Sequence, residues 1–192
     1  FMTKCPYVPP HDFDLDFPHL MLRYRTAQKK LNKLPIVPAQ LAQIDRNAKI
    51  GVMLSFLINW ISNIKNKFFR KVLEIIVGID KRVRLPVYNS ETFTNYFKKN
   101  IYPVNIEAPA KNRKVVIYST CFVNFNKKDT GIAALKVLKK NGVEVKESYP
   151  GCCGMPFLEQ ADLPKVVNQA KKVSKDLLEW VDKGYRVITL TA

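Results

Sequence analysis

Lys114-Val115-Val116-Ile117-Tyr118-Ser119 is a run of β-branched and aromatic residues of strand length, with no helical period. The residues after it decide how it is used. From Asp129 to Asn141, Ile132, Leu135 and Leu138 recur at helix spacing, with Gly142 where a helix would stop. Val143-Glu144-Val145-Lys146 reads as a second strand. Beyond the loop Tyr149-Pro150-Gly151-Cys152-Cys153-Gly154-Met155-Pro156, a long helix is predicted from Asp162 to Lys183. Pro164 lies in its first turn, Val166, Val167, Ala170, Val173, Leu177 and Leu178 face inward, and Gly184 terminates it. Tyr185 to Thr191 reads as a third strand. Strand–helix–strand–helix–strand predicts an α/β fold with a small, largely parallel sheet.

Upstream, the pattern is helical. Leu41, Ile44, Ala48 and Val52 recur at helix spacing, as do Phe68, Phe69, Val72, Leu73, Ile76 and Val77, with Gly78 placed to cap. Ser90 is positioned to cap a short helix that stacks Phe93, Tyr96 and Phe97, after which Pro103 and Pro109 mark a linker. Residues 1–38 are punctuated by Pro6, Pro9, Pro10, Pro18, Pro35 and Pro38. Within them Phe17 to Leu34 reads as one helix with Asp16 as N-cap and a narrow stripe of Leu20, Met21 and Tyr24. The expected organisation is three segments, 1–38, 39–110 and 111–192. The chain opens on Phe1 and closes inside its last strand, so it reads as an internal piece of a longer protein.

The net charge of +16 would attract polyanions. It is spread along the chain, however, and no Arg-rich run or RNA-binding aromatic signature accompanies it, so no nucleic-acid partner is expected. The longest apolar run, Ile50 to Ile61, is shorter than the ~20 residues needed to span a bilayer. Gly-rich phosphate loops, Cys-x-x-Cys zinc pairs and a serine nucleophile elbow are absent from the sequence. Four cysteines, at positions 5, 121, 152 and 153, make a poor secreted disulfide framework and fit a reducing, cytoplasmic compartment.

In a parallel α/β sheet the loops after the strands' carboxyl ends line one edge, where ligands bind. Cys121 closes the first strand, and Cys152 and Cys153 lie in the loop after the second, so all three are expected at that edge. Thiolates gathered there would suit a soft metal. The competing reading is a buried core cysteine and a chance pair.

The stretch Tyr149 to Pro156 resembles the Cys-Cys-Gly motif of the iron–sulfur family to which one of the heterodisulfide reductase subunits belongs, the CCG domain. Thirty residues separate Cys121 from Cys152, as in that family's pattern, which continues with a further cysteine. Cys5-Pro6-Tyr7-Val8-Pro9-Pro10-His11 looks like the tail of a bacterial ferredoxin motif. With Asp16-Phe17-Pro18-His19-Leu20-Met21-Leu22-Arg23 it is similar to the C subunits of anaerobic glycerol-3-phosphate dehydrogenases and to heterodisulfide-reductase-related iron–sulfur proteins.

The resemblance implies that 1–38 is the tail of a ferredoxin-like domain, 39–110 a helical spacer and 111–192 a first CCG domain. It implies [4Fe-4S]-type clusters: a cubane through Cys5 with cysteines upstream of Phe1, and a cluster of non-cubane type at Cys121, Cys152 and Cys153. Gly151 and Gly154 would let backbone N–H groups approach the sulfurs. The implied function is electron transfer from a flavin-containing dehydrogenase subunit to a quinone or disulfide acceptor, on the cytoplasmic side and peripheral to the membrane.

Two alternatives stand beside it: a metal-free thiol–disulfide oxidoreductase, and a basic module for nucleic acid or membrane. His11 and His19 are read as helix-edge residues or outer donors rather than ligands. Asp12, Asp14 and Asp16 lack the glycine and glutamate of a calcium loop. The stretch Arg46 to Arg84, nine basic residues against two acidic with Phe56, Trp60, Phe68 and Phe69, reads as a packed helical pair with a lysine-rich face, or as a surface for an anionic membrane.

Overall fold

The structure, a computed structural model, describes residues 5–191. In chain order its elements are α1 (Phe17–Lys30), α2 (Ile36–Leu41), α3 (Ile44–Met53), α4 (Ser55–Ser62), α5 (Lys67–Val77), α6 (Phe93–Lys99), β1 (Lys114–Tyr118), α7 (Cys121–Phe125), α8 (Lys128–Lys140), β2 (Glu144–Ser148), α9 (Met155–Glu159), α10 (Leu163–Asp182) and β3 (Arg186–Thr189). The three strands form one sheet in the order β2-β1-β3, both pairings parallel. The α/β expectation holds. The chain divides into two compact units, one running to Gln43 and including Gly154–Val167, the other comprising Ile44–Cys153 and the residues from Asn168 onward.

In the second unit β1 is the central strand, and Val115 to Tyr118 are all buried. One face of the sheet carries the core of Phe93, Val115, Ile117, Val123, Leu135, Val143 and Val145, with Phe97, Ile132 and Leu138 packed on it. The stripe read on α8 is therefore the core stripe. Gly142 closes α8 at φ +87°, and Gly78 closes α5 at φ +75°, the left-handed conformation expected of both. The helical residues from Ile44 onward are tied to the sheet layer by hydrogen bonds: Asn59 Nδ2 to the Tyr88 carbonyl at 2.8 Å, Asn89 N to the Phe125 carbonyl at 2.8 Å, and Asn126 Nδ2 to the Val87 carbonyl at 2.9 Å.

Several expectations are corrected. The short aromatic helix is capped by Thr92, whose hydroxyl accepts from Asn95 N, not by Ser90. Cys121 does not close the first strand. Pairing stops at Tyr118, and Cys121 begins α7, a helix too short to show a hydrophobic period. Of the stripe on α10, Val166, Val173 and Leu177 are half-buried, while Val167, Ala170 and Leu178 are exposed.

In the first unit, Asp16 caps α1 as expected, accepting from His19 N at 3.1 Å. The helix stops at Lys30 rather than Leu34. Asn32 turns left-handed at φ 53°, and Lys33 N returns to the Gln28 carbonyl, which closes the helix before Pro35. Leu20 and Tyr24 are exposed; Met21 and Leu22 are the covered pair, lining a groove with Met155 and Leu158 of α9. His11 Nδ1 accepts from Phe13 N, and the His19 ring pairs with Asp16, so both histidines serve local turns and caps.

Gly131 on α8 shows how tight the core is. A methyl group there would come within 2.6 Å of the fully buried Phe93 ring. Gly131→Ala should lower stability by about 1–2 kcal/mol, because overpacking outweighs the helix-propensity gain of up to about 1 kcal/mol. Urea denaturation of the variant beside the parent gives the sign directly.

Candidate functional site

The carboxyl ends of β1 and β2 lie side by side, and Ser119 N still donates to the Ser148 carbonyl at 3.2 Å beyond the last paired residues. From β1 the chain runs through Ser119 and Thr120 to Cys121, the first residue of α7. From β2 it runs through Tyr149 and Pro150 to Gly151, Cys152 and Cys153. The expected meeting of the cysteines at one edge is met by Cys121 and Cys152, whose thiols hydrogen-bond. Cys152 is 1% exposed, Cys121 half-buried, and Cys153 exposed on the rim. Cys5 is half-buried in the first unit. All four are free thiols, and among the described residues no three His, Cys, Asp or Glu side chains are gathered into a metal-holding group.

Two tyrosines and one aspartate hold the cysteine loop. The Tyr118 hydroxyl, at the end of β1, donates to the Gly151 carbonyl at 2.8 Å. The Tyr149 hydroxyl donates to Asp45 Oδ1 at 2.6 Å, and Cys152 N donates to Asp45 Oδ2 at 3.1 Å. Gln169 Nε2 adds a longer bond of 3.4 Å to the same oxygen. The rings of Tyr118 and Tyr149 stack with centroids 6.5 Å apart, and Phe125 meets Tyr149 edge-on. Asp45, in the first turn of α3, was not legible as a site residue. Its partners lie more than a hundred residues away, and an acidic residue in a first helical turn has a sufficient local reason to be there.

Gly151 has φ +153°, and a β-carbon there would lie 3.3 Å from Asp45 Oδ2 and 3.5 Å from Lys172 Nζ. Its missing side chain makes room for the carboxylate that grips Cys152. Gly154 has φ +97° and opens α9, its carbonyl accepting from Phe157 N and Leu158 N.

The Cys121 thiol is held below its ordinary range. The main cause is the hydrogen bond from Cys152, assisted by the Phe122 backbone N–H; burial, Cys153 and Asp45 oppose it. Tyr118 is pushed well above the usual phenol range by burial first and then by the neighbouring cysteines. Tyr149 is pushed further, by burial and then by its bond to Asp45. Both phenols therefore stay neutral and keep donating. Beside the site, Glu147 of β2 accepts from Thr94 Oγ1 at 2.7 Å and from Ser119 Oγ, while Asn124 Oδ1 accepts from Thr94 N at 3.0 Å. Burial raises the Glu147 carboxyl, partly offset by those hydroxyls.

With this geometry in view, the unit is a small parallel α/β layer carrying thiols at its carboxyl edge. Residues 115–191 match the family described as the cysteine-rich domain CCG. It is also 27% identical over 154 residues to the C subunit of anaerobic glycerol-3-phosphate dehydrogenase from Escherichia coli, in strain K12 and in O157:H7 alike. The alignment covers 79% of this chain and 37% of each relative, so the chain spans little more than a third of the curated proteins it matches. No solved structure matches it. No helix among the described residues is long and apolar enough to cross a membrane.

Asp45→Ala should free the loop and cost about 1–3 kcal/mol, since Cys152 N–H and the Tyr149 hydroxyl lose their acceptor. Iodoacetamide mapping by mass spectrometry would then find Cys152 labelled far faster than in the parent, with Cys153 little changed. Glu147 yields a pH signature. Its folded carboxyl sits above the ordinary range, so the folded state binds the extra proton, and stability falls as pH rises from the ordinary carboxyl range through the raised one. Chemical denaturation across pH 4–8 (roughly, the carboxyl window and above) should show Glu147→Gln flattening that slope.

Proposed function

We propose that this chain is part of an iron–sulfur electron-transfer subunit of a multi-subunit oxidoreductase. The observation that carries the reading is the convergence of the Cys121 and Cys152 thiols, one of them shifted toward thiolate, inside a segment matching the CCG cysteine-rich family. Soft sulfur donors on a partly desolvated edge fit iron in a sulfide cluster better than a hard, oxygen-preferring cation. When bound, such a cluster accepts and releases single electrons. Cys121, Cys152 and Cys153 would be its ligands in this chain, and a ligand set of the usual size calls for a further cysteine from elsewhere in the protein.

The remaining residues have roles that follow from their chemistry. Asp45 and Tyr118 fix the loop that carries Cys152, and Gly151 admits the Asp45 carboxylate. Gly154 contributes a backbone bend next to Cys153. Neutral phenols over the site keep water out without adding charge. Cys5, followed by Pro6, would be a ligand of a cubane [4Fe-4S] cluster completed by upstream cysteines. On this reading 1–38 is the tail of a ferredoxin-like domain, 39–110 a spacer and 111–192 a CCG domain. A flavin-containing dehydrogenase subunit would donate electrons, and a quinone or disulfide would accept them, at a cytoplasmic, membrane-peripheral location. The similarity to a subunit of a dehydrogenase supports this assignment of partners.

One observation favours a second reading. Two hydrogen-bonded thiols with unequal thiolate character are also what a metal-free thiol–disulfide reaction needs. Iron and acid-labile sulfide analysis of the intact protein, purified without oxygen, separates the two. The cluster reading expects both elements and a brown colour. A pale, iron-free protein that titrates as a two-electron dithiol would replace it with the alternative. Cys153→Ser should remove the electron-paramagnetic-resonance signal of the CCG-domain cluster and leave ferredoxin-type signals intact.

A further inference from the structure

Arg70 is the largest fully buried side chain in the described protein that carries a charge; it is 1% exposed. Two nitrogens of its guanidinium are committed. Nε donates to the Lys81 carbonyl at 3.3 Å, and Nη2 donates to the carbonyls of Asp80 at 2.9 Å and Val83 at 2.7 Å. Those bonds fasten the segment after α5 back onto the helix. Nη1 is shielded from solvent and has no hydrogen-bond partner. A buried guanidinium nitrogen without an acceptor is expensive, and such groups in folded proteins mark a missing partner.

The surroundings indicate what that partner is. Arg70 lines a cavity of about 440 Å³ together with Ile64, Lys67, Lys71, Lys81 and Arg82. Five of its six lining residues are cationic. Glu74 and Asp80 are the acids beside them, and each is engaged: Glu74 with Lys71 at 2.7 Å, Asp80 with Arg82 at 2.7 Å. Both carboxyls are held below their ordinary range, Glu74 chiefly by the hydrogen bond from Lys71 and Asp80 chiefly by that from Arg82. They remain ionised, and the lining still carries an excess of three positive charges, five cations against two carboxylates. The cavity also opens at the first turn of α5, an eleven-residue helix capped by Asn66, where the backbone dipole favours an anion.

We propose that this cavity binds a phosphate-class oxyanion, held by the cations of its lining, with the Arg70 guanidinium behind them and the ammonium groups of Lys67 and Lys81 free to meet it. Phosphate has the charge, the size and the several acceptor oxygens that a guanidinium and two ammonium groups can share; a single carboxylate offers fewer. The ligand could come from free phosphate or from the monoester headgroup of a lipid. The chemistry at the cavity is the same, and the site is independent of the thiol edge.

The experiment is isothermal titration of inorganic phosphate into the intact protein against sodium chloride at matched ionic strength, run beside sedimentation with phosphatidylcholine vesicles with and without phosphatidic acid. The Lys67→Gln/Lys81→Gln variant removes two exposed lysines and leaves the buried Arg70 bonds in place. Lys49→Gln/Lys140→Gln removes the same charge from exposed positions away from the lining. Saturable phosphate binding, weakened roughly tenfold or more in the first variant and unchanged in the second, is the expected result. Binding confined to phosphatidic acid vesicles with that same variant pattern assigns the lipid as source and supports the site equally. Absence of binding to either probe, or an equal loss in both variants, overturns the proposal in favour of diffuse surface charge.

Discussion

β1 pairs in parallel with β2 on one side and β3 on the other, in register from Lys114↔Glu144 to Tyr118↔Ser148 and from Val115↔Arg186 to Tyr118↔Thr189. Being parallel, the strands finish at the same edge, and the chain must leave that edge carrying whatever residues come next. Cys121 and Cys152 are brought together in this way from thirty-one positions apart, without any direct structural requirement that they attract one another. Tyr118 makes the register matter chemically. It is both the last paired residue of β1 and the donor to Gly151, so a slip of one residue would turn it to the opposite face and release the cysteine loop.

The electrostatics of the edge are a contest. Thiolate at Cys121 is favoured by Cys152 and by the Phe122 N–H, and disfavoured by burial, by Cys153 and by Asp45. The hydrogen bonds prevail, because they act at contact distance on the charged form. Asp45 is an awkward neighbour for sulfur anions, yet it supplies the acceptors that order Tyr149 and the Cys152 backbone. In the proposed redox role a fixed negative charge there would make each added electron harder to accept and so lower the potential. Lys172, close enough that a β-carbon on Gly151 would meet its ammonium, acts in the opposite sense.

The sheet was legible because β1 is a run of Val, Ile and Tyr, β3 carries Val-Ile and β2 an alternating Val, all separated by helices with clear periods and glycine stops; Gly142, Gly78 and Asp16 do what their chemistry predicts. The positions of Cys121 and Cys152 at one edge followed from topology alone. Less could be read where local pattern and tertiary need diverge. α7 and α9 are five residues each, too short for a period to declare itself. The apolar stripe of α10 is real in sequence, but only Val166, Val173 and Leu177 of it are even half-covered. Asp45, Glu147 and Arg70 were invisible as special residues, since their meaning lies in partners that only folding supplies.

The basic character of the chain also changes meaning once folded. A charge of +16 spread evenly along a sequence suggests a uniformly cationic surface. Folding makes it uneven: Lys71 and Arg82 are neutralised by local acids, Lys29 is paired with Asp162 at 2.8 Å, and Arg70 is carried inside. Exposed pairs of this kind contribute little stability, about 0–1 kcal/mol each, so they do not explain why so much positive charge gathers around one cavity. Burying a guanidinium is costly enough to require a return, and three carbonyl acceptors supply part of it. The helical segment from Ile44 onward therefore carries more than packing. Asp45 near its start orders the thiol loop, and Arg70 near its centre organises the proposed cationic cavity, whose chemistry is anion binding rather than redox.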